Sequence, residues 1–82
     1  MTFYTFMIHN YKNDESPAGK LAEDMESDSE NFPRNCPYKF KGWHEQLYKY
    51  LLENGACNDC LITFEECWEE YVKCEKKRLK RN

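Results

Sequence analysis

Apolar residues recur with helical spacing in four segments of this chain. In the most informative segment, Phe64, Trp68 and Tyr71 are four and three residues apart, which places their rings on one helical face. Thr63 precedes this stripe, and Glu66 follows Thr63 by three residues, which is the spacing of a capping box. We therefore predict that Thr63 caps a long last helix of 18 residues, about 27 Å at ~1.5 Å per residue.

Two shorter helices are predicted near the N-terminus. The first spans residues 2–12. The second begins at Pro17, because Ser16 is a favourable N-cap and proline suits the first helical position. It ends in the acidic stretch 26–30. One face of the first helix carries Phe3, Phe6, Met7 and Asn10, and the apolar face of the second carries Leu21, Ala22 and Met25.

A connector and a third helix follow. The prolines after Phe32 and Cys36 favour an extended connector, since the residue before a proline avoids the α region. A third helix is predicted over residues 43–53, with a left-handed stop at Gly55. A short turn or helical piece precedes Thr63, and no alternating pattern is long enough for a strand. The apolar stripe of the third helix consists of Trp43, Leu47, Tyr50 and Leu51. We predict an all-α fold, a compact bundle of four or five helices with a long C-terminal helix.

Length and composition indicate one small packed domain. The chain has 82 residues, of which 16% are aromatic, and large rings are how a small core gains buried area. A chain of this length leaves no room for a deep substrate cleft. We assign residues 1–75 to the domain and residues 76–82 to the basic end of its last helix.

The charge distribution is asymmetric. The net charge of −3 combines −8 over residues 1–72 with +5 over residues 73–82. The acidic body argues against a general nucleic-acid coat, which needs clustered cations, but the tail could contact phosphates. A solvated end that complements the helix dipole is the alternative interpretation. The candidate phosphate-binding residues are Lys73, Lys76, Lys77, Arg78, Lys80 and Arg81.

Five cysteines raise the question of a metal site. Cys57 and Cys60 have the spacing of half a zinc site, which Cys36, His44 or Cys67 could complete. No second close pair exists, so we expect neither metal nor cofactor. A thioredoxin-like role is disfavoured because that motif belongs to a βαβ context. Cys67 is predicted to pack in the core and Cys74 to lie near the surface.

We expect a non-catalytic, cytoplasmic protein. The N-terminus lacks the basic and small-residue features of a signal peptide, so the thiols are expected to be reduced, and no apolar run could span a membrane. His9 and His44 are expected to be partly exposed helix residues, without a paired nucleophile. Carboxylates of the last helix are assigned to a solvated face, whereas an acid–base pair needs unequal burial.

Five sequence elements occur in a specific order and spacing. They are Phe3-Tyr4-x-Phe6-Met7, Pro17-x-x-x-Leu21-Ala22, Asp28-x-x-x-Phe32-Pro33, Tyr50-Leu51 and Thr63-Phe64-Glu65-Glu66-x-Trp68-x-x-Tyr71. Together they resemble the YozE-like family of small proteins from low-GC Gram-positive bacteria, over about residues 3–72. The resemblance implies a fold like the sterile alpha motif, in which protein contacts are common and nucleic-acid binding is rarer; fold alone does not decide between them. The cysteines and the long basic tail depart from the family pattern.

Our functional hypothesis is a binding module that docks a partner protein, plausibly a DNA-processing or replication enzyme with a basic surface. Phe32, Tyr38, Glu65 and Glu69 are the candidate contacts, although for Phe32 and Tyr38 the favoured interpretation is that they cover the edge of the core. The alternative is a nucleic-acid-binding accessory protein that uses the basic helix end. We expect no membrane and no small-molecule substrate.

Overall fold

The computed structural model describes residues 1–35 and 40–80, and of residues 41, 79 and 80 it describes the backbone alone. Within these residues the fold is all-α, as predicted, and no strand is present. The longest helix packs against each of the other three. The helices are α1 (Phe3–Tyr11), α2 (Pro17–Ser27), α3 (Lys41–Glu53) and α4 (Asn58–Lys80).

Side-chain caps start the first two helices. The Thr2 hydroxyl accepts a hydrogen bond from the Thr5 amide at 3.1 Å. The Ser16 hydroxyl accepts from the Gly19 amide at 3.2 Å, with Pro17 at the first helical position. Each cap satisfies an amide that the helix itself leaves without a partner. The predicted start of α2 is confirmed, and Thr2 is the cap of α1 rather than its first residue.

A close backbone approach fixes the turn between α1 and α2. Asn13 adopts a left-handed conformation, with φ of 72°. This turn brings the Asp14 carbonyl so near to Gly19 that a Cβ there would lie 1.8 Å from its oxygen. Only glycine fits this contact. At the end of α3, Gly55 has φ of 83°, as predicted for a left-handed stop.

The predicted start of α4 at Thr63 is wrong. The helix begins at Asn58, and the Leu61 amide donates to the Cys57 carbonyl at 3.0 Å, which makes Cys57 the N-cap. Thr63 lies inside the helix, where its hydroxyl donates to the Asp59 carbonyl at 2.9 Å. The helix therefore has 23 residues instead of 18, or about 34 Å.

One aromatic core joins the helices. Phe3 of α1 packs edge-on against Phe64 at 5.3 Å and against Tyr71 at 5.6 Å between ring centroids. The stripe predicted on the last helix is confirmed, since Phe64, Trp68 and Tyr71 are all buried. Trp43, which we expected in the core, is only half-buried and packs against its edge. Other core residues are Phe6, Met7, Leu21, Ala22, Met25, Phe32, Leu47, Leu51, Leu61 and Cys67.

A buried polar network fastens the connector to α1 and α4. The Asn35 side chain is 2% exposed; its Oδ1 accepts from the Phe3 amide at 2.7 Å. Its Nδ2 donates to the Tyr71 hydroxyl at 2.8 Å, and that hydroxyl donates to the Met1 carbonyl at 2.6 Å. Because buried polar groups without partners are costly, this network specifies how the N-terminus docks on α4.

Candidate partner-binding groove

A groove of about 640 Å³ lies between the first turns of α3 and the second half of α4. We call it the α3–α4 groove. Such grooves between helices are where helical modules commonly seat an apolar side chain of a partner. The groove is lined by Phe40, His44, Glu45, Trp68, Glu69, Val72, Lys73 and Lys76.

Aromatic contacts hold the floor of the groove rigid. The His44 ring stacks on Phe64 at 5.5 Å and meets Trp68 edge-on at 5.7 Å. Phe40 packs edge-on against Tyr71 at 6.0 Å. Trp68 is 7% exposed, so only its rim reaches the groove. The floor is thus continuous with the core, and a bound side chain would meet preformed apolar surface.

Charges of opposite sign flank this floor. Glu45, Glu69, Lys73 and Lys76 all line the groove. The His44 Nε2 atom lies 2.9 and 3.0 Å from the two carboxylate oxygens of Glu65. This contact holds the imidazole in place across the junction of α3 and α4. The α3–α4 groove therefore offers an apolar floor flanked by two acidic and two basic side chains.

The structure divides the four predicted partner contacts. Glu69 lines the α3–α4 groove, and Glu65 joins its margin through His44. Phe32 is 3% exposed and packs edge-on against Tyr50 at 5.5 Å. Of the two interpretations given for Phe32, the structure supports the one in which its ring covers the core. Tyr38 lies outside the described residues.

The predicted basic residues do not all share one surface. Helical spacing places Lys73, Lys76 and Lys77 within one arc, and all three are exposed. Arg78 lies elsewhere on the helix, where its Nη1 is 3.4 Å from Glu75 Oε1. The Lys80 side chain and Arg81 lie outside the described residues. The structure thus supports a cluster of three lysines, two of which also line the α3–α4 groove.

A second cleft, of about 450 Å³, lies between α2 and the turn from α3 to α4. We call it the α2 cleft. Its floor includes Leu21, Met25 and Phe32, and Cys57 and Cys60 lie at its edge. At its rim the Tyr50 hydroxyl donates to Asp28, and this hydrogen bond raises the pKa of Tyr50. Phe32 therefore lines the α2 cleft and not the α3–α4 groove.

The zinc ligands considered above do not converge among the described residues. Cys67 is buried and lies ten residues beyond Cys57, a rise of about 15 Å along α4. His44 is bound to Glu65. No group of three His, Cys, Asp or Glu side chains in residues 1–35 and 40–80 could hold a metal ion. Cys36 lies outside the described residues.

Two buried polar residues were missed by sequence reasoning. Asn35 gave no signal, since asparagine in a connector is usual in turns. Glu75 is 4% exposed, and its Oε1 lies 3.1 Å from the N-terminal ammonium group. Because Glu75 lies within the basic tail, the sequence suggested only an interaction with neighbouring cations. No sequence pattern announces either contact, because both join residues far apart along the chain.

Comparisons with known proteins agree with this architecture. Searches of curated proteins and of solved structures find no match. Among the described residues, no helix combines the length and apolar character needed to cross a bilayer. The family model described as YozE SAM-like fold matches residues 2–73, which include all of α1 to α3 and most of α4. The chain therefore belongs to the YozE SAM-like family.

Proposed function

We propose that this protein is a non-catalytic binding module that docks a partner protein through the α3–α4 groove. The observation that supports the proposal is the apolar floor formed by Phe40, Trp68 and Val72 beside exposed carboxylates. An apolar pocket provides affinity, and flanking charge provides orientation and rate of association. A partner segment with an apolar anchor next to lysine or arginine would fit.

The acidic body supports a partner with a basic surface. Residues 1–72 have a net charge of −8, and the glutamates that flank the groove are exposed. Proteins that process DNA present such surfaces, since they must neutralise phosphates. We therefore favour a DNA-processing or replication enzyme as the class of partner.

The proposal includes neither catalysis nor a cofactor, a small-molecule substrate or a membrane. Glu65, Glu66, Glu69 and Glu70 are all exposed, so they do not form the unequally buried pair that acid–base chemistry needs. We also propose a cytoplasmic location, where thiols are kept reduced.

Charge reversal in the groove tests this proposal. The full chain is immobilised and its partner captured from a lysate of the native host, and the purified partner is then titrated by calorimetry. Glu45→Lys with Glu69→Lys should weaken binding by about tenfold or more, through repulsion of a basic partner. Val72→Asp should weaken it similarly, because it places a charge against the apolar anchor.

The matched control reverses two exposed glutamates of α2 and its following turn, Glu23→Lys with Glu30→Lys. These changes give the same net charge without altering a groove-lining residue, so partner affinity should stay within about threefold of wild type. If both pairs of variants bind equally well, the α3–α4 groove is not the docking site. Circular dichroism verifies that each variant is folded.

The lysine cluster at the end of α4 favours one alternative, a nucleic-acid-binding accessory protein. Anisotropy with a labelled DNA duplex would then show affinity that falls with log salt at a slope of about −3. Binding would disappear in Lys73→Ala, Lys76→Ala, Lys77→Ala and in a chain lacking residues 76–82, but not in Lys20→Ala, Lys49→Ala. Our proposal expects weak DNA binding in every variant. Tight binding lost with the lysine cluster would replace it with the alternative.

A further inference from the structure

Cys57 and Cys60 lie across the first turn of α4. Cys57 is the N-cap, because its carbonyl accepts from the Leu61 amide at 3.0 Å, and Cys60 is three residues further on. In α-helical geometry, residues with this spacing have Cα atoms about 5 Å apart. A disulfide forms between residues whose Cα atoms are about 4.4–6.8 Å apart. The spacing of Cys57 and Cys60 across the first turn of α4 thus meets the Cα requirement of a disulfide.

Both thiols border two openings to solvent. They line the α2 cleft and also a neighbouring cleft of about 360 Å³ on the Pro17 side of α2. Cys57 is exposed, whereas Cys60 is half-buried and packs against the core. A small co-reactant can therefore reach Cys57 directly and Cys60 from the side.

The other described cysteines are too far along α4 to compete. Cys67 follows Cys60 by seven residues, and Cys74 follows Cys67 by the same number, each step a rise of about 10 Å. That separation exceeds the reach of a disulfide. Cys67 is also 3% exposed. Among the described residues the pairing of Cys57 with Cys60 is the one the helix permits.

The environments of the two sulfurs give them different roles. Burial, the neighbouring Cys57 and then Asp24 of α2 raise the pKa of Cys60. A thiol that keeps its proton is a slow initial nucleophile, because the thiolate is the reactive form. Cys57, with its exposed sulfur, is the residue that meets an external reagent first.

We propose that Cys57 and Cys60 form a reversible dithiol–disulfide pair that exchanges with small-molecule disulfides. In the first step the Cys57 thiolate attacks one sulfur of the external disulfide, forming a mixed disulfide and releasing one thiolate. The Cys60 thiol then gives its proton to solvent and attacks the Cys57 sulfur, which releases the second thiolate. Two protein thiols are oxidised, and one external disulfide is reduced to two thiols.

This chemistry is independent of the α3–α4 groove. The exchange takes place at the N-terminal end of α4, whereas the α4 residues that line the groove begin at Trp68. It needs two cysteines on one helical turn and no βαβ fold. The helix start at Asn58, rather than at Thr63, is what places Cys57 and Cys60 on one helical turn. Loss of the exchange would leave the docking proposal intact, and loss of docking would leave the exchange intact.

Oxidised glutathione is the probe for the test. The full chain is incubated with it, quenched with acid and measured by intact mass, then digested with trypsin. Wild type should lose two hydrogens, and the internal bond should map to residues 50–73, which contain Cys57, Cys60 and Cys67. Cys67→Ala and Cys36→Ser should give the same bond. Reduction by dithiothreitol should restore the original mass.

Cys60→Ser supplies the decisive signature. Without the resolving thiol, glutathione should remain attached to Cys57 as a stable mixed disulfide, which a merely structural role would not produce. Cys57→Ser should prevent the internal bond, and Cys74→Ser should behave as wild type. If Cys60→Ser does not fold by circular dichroism, Cys60→Ala replaces it. An internal bond that persists in Cys57→Ser, a bond that maps to Cys36, or wild type that accumulates only glutathione adducts would each overturn the proposal.

Discussion

Asn35 shows how much one connector residue can contribute. Asn35→Ala removes the acceptor of the Phe3 amide and the donor to the Tyr71 hydroxyl. Each buried polar group deprived of its partner costs about 1–3 kcal/mol, so we expect the free energy of unfolding to fall by about 2–4 kcal/mol. Urea denaturation measures this change.

Asn31→Ala is the matched control. Asn31 is exposed, and its amide makes one surface contact, to Asp28 at 3.3 Å. Its replacement should change the free energy of unfolding by less than about 0.5 kcal/mol. Equal effects of the two substitutions would show that the Asn35 network adds nothing specific.

Cys67 makes stability depend on pH. Burial, aided by Glu70 and Glu66, raises the pKa of the Cys67 thiol from 9.0 to about 11. In the unfolded chain the thiol loses its proton near pH 9, whereas in the folded chain it keeps that proton until about pH 11. Between these values the unfolded state binds fewer protons, so stability falls as pH rises.

The expected loss from Cys67 is at most about 2.7 kcal/mol, since each pKa unit corresponds to about 1.36 kcal/mol. Tyr11, whose pKa is raised by its hydrogen bond to Glu70 and by burial, contributes to the same fall. Urea denaturation at several pH values should show a shallower decline in Cys67→Ala than in wild type. An unchanged decline would mean that the buried thiol ionises without penalty.

At the scale of the element, Thr2 and Thr63 occupy different positions in their helices, and their substitutions should have opposite effects on stability. Thr2 caps α1 through its hydroxyl, so Thr2→Ala should lower the free energy of unfolding by about 1 kcal/mol. Thr63 lies inside α4, where alanine is the better helix former, so Thr63→Ala should raise it by up to about 0.5 kcal/mol. Thermal unfolding of both variants is the measurement, and a cost at Thr63 as large as at Thr2 would restore Thr63 as a cap.

The error in the predicted start of α4 has a physical cause. The pairing of Thr63 with Glu66 is a good local cap, but Leu61 continues the apolar stripe by one more turn and is 7% exposed. Asp59 adds a carboxylate to the first turn, where it complements the helix dipole. Burial of Leu61 therefore favours an earlier helix start. Local capping preference is weaker than tertiary packing.

At the scale of the molecule, Trp68 joins three helices. Its ring meets Phe3 of α1 at 5.3 Å, His44 of α3 at 5.7 Å and Tyr71 of α4 at 5.2 Å. Trp68→Ala should lower the free energy of unfolding by about 3–5 kcal/mol. This is a large share of the free energy of unfolding of a domain of this size, which is about 4–12 kcal/mol. Trp43→Ala should cost less than half as much, because Trp43 is half-buried. Comparable losses in guanidinium unfolding would place both rings in the core.

Helical periodicity was enough to predict the four helices and the buried aromatic stripe, although capping misplaced the start of α4. Ser16, Pro17 and Gly55 act through the backbone of their own neighbours, so their effects can be inferred from the sequence around them. The predicted all-α bundle, its long last helix and its family resemblance depend on patterns of this local kind. The acidic body and the basic end follow directly from composition.

The tertiary structure alone decided which distant residues meet. The sequence left open whether Phe32 is exposed or covers the core, and folding packs it against Tyr50. Sequence reasoning could not foresee that Asn35 would bond Phe3 and Tyr71, or that Glu69, His44 and Val72 would line one groove, because these contacts depend on how the helices cross. The first turn of α4, which contains Cys57 and Cys60, likewise depends chiefly on burial of Leu61 against the core.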